Sequence, residues 1–174
     1  KFTSLQTSFG INMLALNNGV PELLNLRRYV ELFTKFRKDI VYKRYKYHLK
    51  KTRETAHILL GLYVALENID QIIELIKSSK DSNDAKNKLT SQNWKIPSDN
   101  FIKDFINSDN ESLIETGNFK ITNTQAKAIL EIKLSRLTGL ERSKLINDLK
   151  ECVNLINNFL KILSSKDKLN EVII

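Results

Sequence analysis

The chain has 174 residues, of which 41% are hydrophobic and 28% charged, with a formal net charge of +8 and one cysteine. This excludes a disordered, core-less polymer and an internal disulfide, and no run of about 18 apolar residues is present to span a membrane. A single thiol fits a reducing, cytoplasmic setting, and a sequence pI near 9.5 makes nucleic acid the leading anionic partner.

The first elements are two short strands, Ile11–Leu16 and Val20–Leu24, flanking Asn17-Asn18-Gly19. Asn and Gly tolerate positive φ, so this predicts a hairpin, with Pro21 holding its strand at an edge. Asn25 is a suitable N-cap. From Leu26 a helical pattern runs without Gly or Pro to Glu54, roughly 45 Å at about 1.5 Å per residue. Its apolar residues Leu26, Tyr29, Val30, Phe33, Phe36, Ile40 and Val41 predict a packing stripe against a partner helix. Between Arg27 and Arg53 eleven Lys or Arg face two acids, Glu31 and Asp39, a local net charge of +9. The basic character of the chain is thus one helix, and a one-sided charge is not what a merely soluble face needs.

Beyond Ala56 the sequence is apolar almost all round through Ile76, which requires cover on nearly every side and predicts a compact subdomain. Asp84–Leu89 reads as a short helix, Trp94–Asp99 as a turn about Pro97, Phe101–Ile106 as a short amphipathic helix and Ser108–Asn118 as loop. Thr122 or Thr124 caps a helix from Gln125 to Leu137, and Thr138-Gly139 marks a break. The last helix spans Leu140–Leu163. Its seam, Leu145, Leu149, Cys152, Ile156, Phe159 and Leu163, alternates +4 and +3 in the heptad manner. The expected fold is mainly α: a long antiparallel two-helix coiled-coil arm carrying a small helical globular domain, with a short β-hairpin near the N-terminus. The expected division is 1–24 hairpin segment, 25–54 outbound helix, 55–139 globule, 140–163 return helix and 164–174 C-terminal segment.

No catalytic constellation stands out. His48 and His57 have no Cys or acidic neighbours at ligand spacing, so no metal site is expected. There is no Gly-rich phosphate loop and no nucleophile–base arrangement. Cys152 reads as a small apolar seam residue. The electrostatic candidates for duplex contact are Lys35, Arg37, Lys38, Lys43, Arg44, Lys46, Lys50 and Lys51. Tyr42, Tyr45 and Tyr47, interleaved with them, read first as helix packing and second as phosphate contacts. Surplus apolar surface at Ile58, Leu62 and Leu66, with Ala128, Ile132 and Ser135 opposite the internal face of their helix, predicts a homodimer contact.

Four blocks carry a family resemblance: QTSFGINMLALNNGVPELLNLRRYVELF (Gln6–Phe33), RETAHILLGLYVALENIDQIIELI (Arg53–Ile76), TNTQAKAILEIKLSRLTGLERSKL (Thr122–Leu145) and LKILSSKDKLNEVII (Leu160–Ile174). Together they resemble the A subunits of bacterial type IIA DNA topoisomerases, with RLTGLE closer to gyrase than to topoisomerase IV. The resemblance covers almost the whole chain and is weakest from Ser78 to Lys120. Where the family usually has a Thr-Arg-Arg-Thr-like run, this chain has Tyr42-Lys43-Arg44-Tyr45, which keeps the charge. The resemblance implies the end of the tower, the coiled-coil arms and the dimerisation domain of the exit gate, a piece of a larger protein. It implies that the catalytic tyrosine lies elsewhere, with no cofactor here and ATP and Mg2+ handled through the B subunit of gyrase. Two alternatives stand beside it. One is the A-type subunit of topoisomerase IV; the other is a non-enzymatic basic coiled-coil module that binds DNA or serves as a spacer.

Overall fold

The computed structural model describes residues 10–95, 114–115, 118–132 and 139–171. The chain divides into two compact units, Lys1–Lys46 with Ile162–Ile174, and Tyr47–Lys161.

The first unit opens on strands β1 (Met13–Asn17) and β2 (Val20–Leu24), paired antiparallel from Met13↔Leu24 to Asn17↔Val20. Asn18 and Gly19 both take positive φ, 52° and 83°, the geometry a two-residue hairpin demands and few other residues tolerate. Helix α1 (Leu26–Glu67) follows, and the Asn25 side chain accepts from the Arg28 amide at 2.8 Å, the expected cap. The predicted apolar stripe does not become the buried one. Tyr29, Val30, Phe33, Phe36 and Ile40 remain 40–59% exposed, and of that set only Val41 is buried. The inward line in this unit is Thr34, Lys38, Val41 and Tyr45, at the +4, +3, +4 spacing of one helix face. The aromatic residues belong to a different line of the same helix, which a list of apolar residues merges with it.

In the second unit α1 continues unbroken to Glu67, well past Glu54, with Leu49 and Ala56 buried and Thr52 half-buried on its inner line. It ends at Asn68, whose side-chain amide donates back to the Val64 carbonyl at 2.8 Å and across to the Lys95 carbonyl at 3.1 Å. Helix α2 (Ile69–Lys77) and helix α3 (Ser82–Ser91) follow, α3 capped by Asp81 accepting from the Asp84 amide. Trp94 lies on strand β3 (Asn93–Lys95) rather than in a turn, and its indole N–H donates to the Leu89 carbonyl at 2.9 Å. Strands β4 (Ile114–Glu115) and β5 (Asn118–Lys120) occupy part of the stretch expected as loop, in the order β3-β5-β4. The expected helix Phe101–Ile106, the turn at Pro97 and Ser135 lie outside the described residues. Trp94 faces Phe119 across the β3–β5 pair, and both are fully or almost fully buried.

Helix α4 (Asn123–Leu130) begins with a full capping box: Thr122 accepts from the Gln125 amide while the Gln125 side chain accepts from the Thr122 amide. Helix α5 (Gly139–Ser164) returns, followed by the short α6 (Lys166–Glu171) in the first unit. Within the second unit the Arg142 guanidinium pairs with the Glu67 carboxylate, and the His48 ring stacks on Phe159. Partners therefore ascend along α1 as they descend along α5, so the two helices run antiparallel. The heptad seam faces inward, with Leu149 and Ile156 buried and Leu145, Cys152 and Phe159 half-buried.

Candidate nucleic-acid and self-association surfaces

The cations of α1 do not all behave alike. Arg27 and Arg28 are answered by Glu31 and Glu22, and Lys51 by Glu54 at 2.9 Å. Their hydrogen bond raises the Lys51 ammonium above the ordinary lysine value and lowers Glu54 below the ordinary carboxylate value, so both stay charged and largely neutralise each other. Between these ends Lys35, Arg37, Lys43, Arg44, Lys46 and Lys50 are exposed, and none of them forms an ion pair among the described residues. Arg44 lies over the Tyr45 ring at 5.4 Å, within cation–π range. Lys38 is half-buried on the inner line, so it presents less of its charge to solvent than its exposed neighbours. The uncompensated charge is therefore narrower than the sequence window and centres on Lys35–Lys50.

Tyr42 and Tyr47 are 45% and 59% exposed, and Tyr45 is half-buried. In the first unit a cleft of about 330 Å³ is lined by Leu16, Leu24, Tyr29, Phe33 and Phe36, with Lys35 and Asp39 also on its wall.

Of the residues expected to self-associate, Ile58 is 38% exposed, whereas the chain itself buries Leu62 and Leu66. Ala128 and Ile132 are half-buried, while Ala126 and Ile129 are buried. Ser135 is outside the described residues.

One site is absent from the sequence reading. Gln125 is completely buried, and besides its capping bond its side-chain amide donates to the main-chain carbonyl of His57 on α1 at 2.8 Å. The approach is possible because residue 61 is Gly: a Cβ there would sit 2.6 Å from Gln125 Cγ and 2.8 Å from its Cβ and Cδ. The His57 ring nitrogen Nε2 meets Thr122 Oγ1 at 2.9 Å. A capping-box glutamine is normally read as a surface residue. The signal in the sequence is its combination with a lone Gly inside a helix, which marks a close approach.

The two histidines are thus engaged within the fold, His48 on Phe159 and His57 on Thr122. Among the described residues no three His, Cys, Asp or Glu are placed to share a metal ion, and no helix is long and apolar enough to cross a membrane. Burial, then the nearby Asp148 and Glu151 carboxylates, push the Cys152 thiol above its ordinary value, which keeps it protonated and weakly nucleophilic.

The chain is mainly helical, with a long, cation-bearing α1 that pairs antiparallel with α5 within the second unit and a short hairpin near its start. The chain belongs to the family of DNA gyrase/topoisomerase IV A subunits, whose pattern matches residues 1–174. It is 44% identical over 171 residues to the DNA gyrase A subunit of Rickettsia conorii, covering 98% of this chain and 19% of that protein. It is 40% identical over 172 residues to the DNA gyrase A subunit of Granulibacter bethesdensis, covering 99% and 18% respectively. Against the DNA gyrase A subunit of Pseudomonas aeruginosa the identity is 41% over 179 residues, with 98% and 19% covered. The chain therefore spans about a fifth of the length of the relatives it matches.

Proposed function

We propose that this chain is the arm and exit-gate part of a DNA gyrase A subunit. In the whole enzyme it would serve ATP-dependent negative supercoiling by double-strand passage, in the cytoplasm. Its partners there would be DNA and the B subunit of gyrase, which binds the ATP and Mg2+. The observation that carries the reading is the set of exposed cations from Lys35 to Lys50, none in an ion pair among the described residues, on a helix whose other side is packed. Duplex DNA carries one negative charge per about 1.7 Å, so such a face lowers the free energy of a passing duplex without reading its sequence. Contacts of this kind to the phosphate backbone position a duplex and carry no sequence information.

The gate half of the proposal is a homodimer through Ile58, Ala128 and Ile132, each of which keeps surface in the single chain. Aliphatic side chains contribute about 1.5–3 kcal/mol each on full burial, before association costs. These three mark where the contact lies and do not account for its whole strength. In this reading no side chain here is a nucleophile or acid–base catalyst, and the isolated chain is without DNA cleavage or ATPase activity.

The test is duplex binding as a function of salt, with the mass of the chain in solution measured alongside. Affinity should be independent of sequence and fall with salt at a log–log slope of about −0.9 per phosphate neutralised. Reversing Lys43, Lys46 and Lys50 to Glu should abolish it. Salt-insensitive or sequence-selective binding would sink the reading of α1 as a non-specific duplex face, and a monomer at every concentration would sink the gate.

A further inference from the structure

Helix α4 is only eight residues long and packs on α3. Yet Ala128 on it, and Ile132 just past its end, are two of the three residues assigned above to the contact between copies. Something must fix its rotation about its own axis and its register along α1. Apolar packing sets the spacing of the helices but is non-directional. Directional bonds from buried groups do better.

Gln125 supplies such bonds. It stands one turn before Ile129 on the buried face of α4, next to the line that carries Ala128, and its side chain is bonded at both ends. Its oxygen accepts from Thr122 N–H at 2.9 Å, which ties it to the start of α4. Its nitrogen donates to the His57 carbonyl at 2.8 Å, which ties α4 to one turn of α1. The missing Cβ of Gly61 sets the depth of entry, since the Gln125 side chain fills the space a Cβ would occupy. The His57–Thr122 contact at 2.9 Å adds a second tether at the same level. A one-residue slip of α4 would break both tethers to α1 together and would leave the buried Gln125 amide nitrogen without its acceptor, a costly state.

We infer that Gln125 is a positioning residue: through the His57 carbonyl and the Gly61 gap it keys α4 to α1 and so sets the angle at which Ala128 and Ile132 meet a second copy of the chain. The first half stands on the fold alone; the second rests on the dimer reading above.

The experiment uses the whole chain with Gln125→Met, which keeps the length and volume of the side chain but removes its donors and acceptor. Two quantities are read: the dimer dissociation constant from sedimentation over a concentration series, and amide hydrogen exchange resolved by segment. The dissociation constant should rise about tenfold, the scale expected when one or two buried hydrogen bonds are lost. Exchange should rise in α4 while α2, α3 and the distal turns of α1 keep their protection. A residue that merely stabilises the unit would raise exchange throughout, and that result overturns the inference, as does an unchanged dimer constant in a dimer-forming chain.

A second arm guards against a Met variant that does not fold. Gly61→Ala alone should weaken the dimer about tenfold, whereas in a Gln125→Ala background, where the space is free, it should cost less than about twofold. Equal effects in both backgrounds refute the keying. If the unmodified chain is monomeric throughout, the dimer reading fails by itself and takes the second half of the inference with it. Segmental exchange then decides the keying alone: raised in α4 only, it stands; unchanged, it falls.

Discussion

His48 stacks on Phe159 with ring centroids 6.2 Å apart and planes 29° from parallel, which fixes one level of the α1–α5 pairing. An aromatic pair contributes about 0.5–1.5 kcal/mol beyond the area it buries. Phe159→Ala is expected to destabilise the chain by about 2 kcal/mol, since the ring is only half-buried. His48→Phe should preserve most of the stability and His48→Ala should not. Urea denaturation of the three variants decides it, and equal losses for the two His48 variants would show the stacking to be unimportant.

Asn68 ends α1 and starts α2 while holding β3 by its Lys95 carbonyl. Asn68→Ala leaves that carbonyl with one partner fewer and should cost about 1–2 kcal/mol. Asn68→Asp should cost at least as much near neutral pH, because a carboxylate cannot donate to two carbonyls and repels both. Thermal melts of the two variants measure this, and a neutral Asp variant would contradict it.

Asp84 gives a pH signature. The Lys88 side chain at 2.9 Å, then the Lys80 N–H, hold its carboxyl below the ordinary carboxylate value. A depressed folded value means the folded state binds the proton more weakly than the unfolded state. The stabilisation is then present above the ordinary carboxylate value and is lost as pH falls through the lowered one. Asp84→Asn should reduce stability near neutrality and make no difference in strong acid. A gap between the two proteins that is constant with pH would refute the assignment.

Cys152 gives the opposite sign. Its thiol is raised by burial and by Asp148 and Glu151, so the folded state holds the proton more tightly. That contribution is complete below the ordinary thiol value and is lost as pH rises through the raised one. Alkylation by iodoacetamide at neutral pH should be slower than for a free thiol and should accelerate when the chain is unfolded. Equal rates in both states would show the thiolate to be unhindered.

Much of the fold is legible in the sequence because it is local. The Asn17-Asn18-Gly19 turn, the Asn25 cap and a threonine cap at 122 or 124 are each set by a few adjacent residues, and the structure realises the turn, the Asn25 cap and, of the two threonines, Thr122. The heptad seam of α5 is legible because its period outlasts chance. What escapes is non-local or too short. Strands β3, β4 and β5 have only two or three residues each, which is less than one clear alternation. The end of α1 at Asn68 lies inside an apolar run with no Pro and no Gly at the break, and it depends on a bond to Lys95 twenty-seven residues away. The candidate surfaces divide the same way. Charge is countable from sequence, but the withdrawal of Lys38, the neutralisation of Lys51 and the burial of Leu62 and Leu66 depend on neighbours beyond a simple count or on the rotation of one helix.

The antiparallel pairing of α1 and α5 also dictates an order of assembly. Glu67 and Arg142 are 75 residues apart along the chain, and His48 and Phe159 are 111 apart. Closing the nearer pair first leaves each later contact only a small loop increment, whereas closing the far pair first pays the longer loop at once. The two helices should therefore zip from the Glu67–Arg142 end toward the His48–Phe159 end. In chevron kinetics Arg142→Ala should slow folding, while Phe159→Ala should mainly speed unfolding. The last contacts to form are the first to let go, so the paired helices fray from the His48–Phe159 end while the Glu67–Arg142 end stays joined.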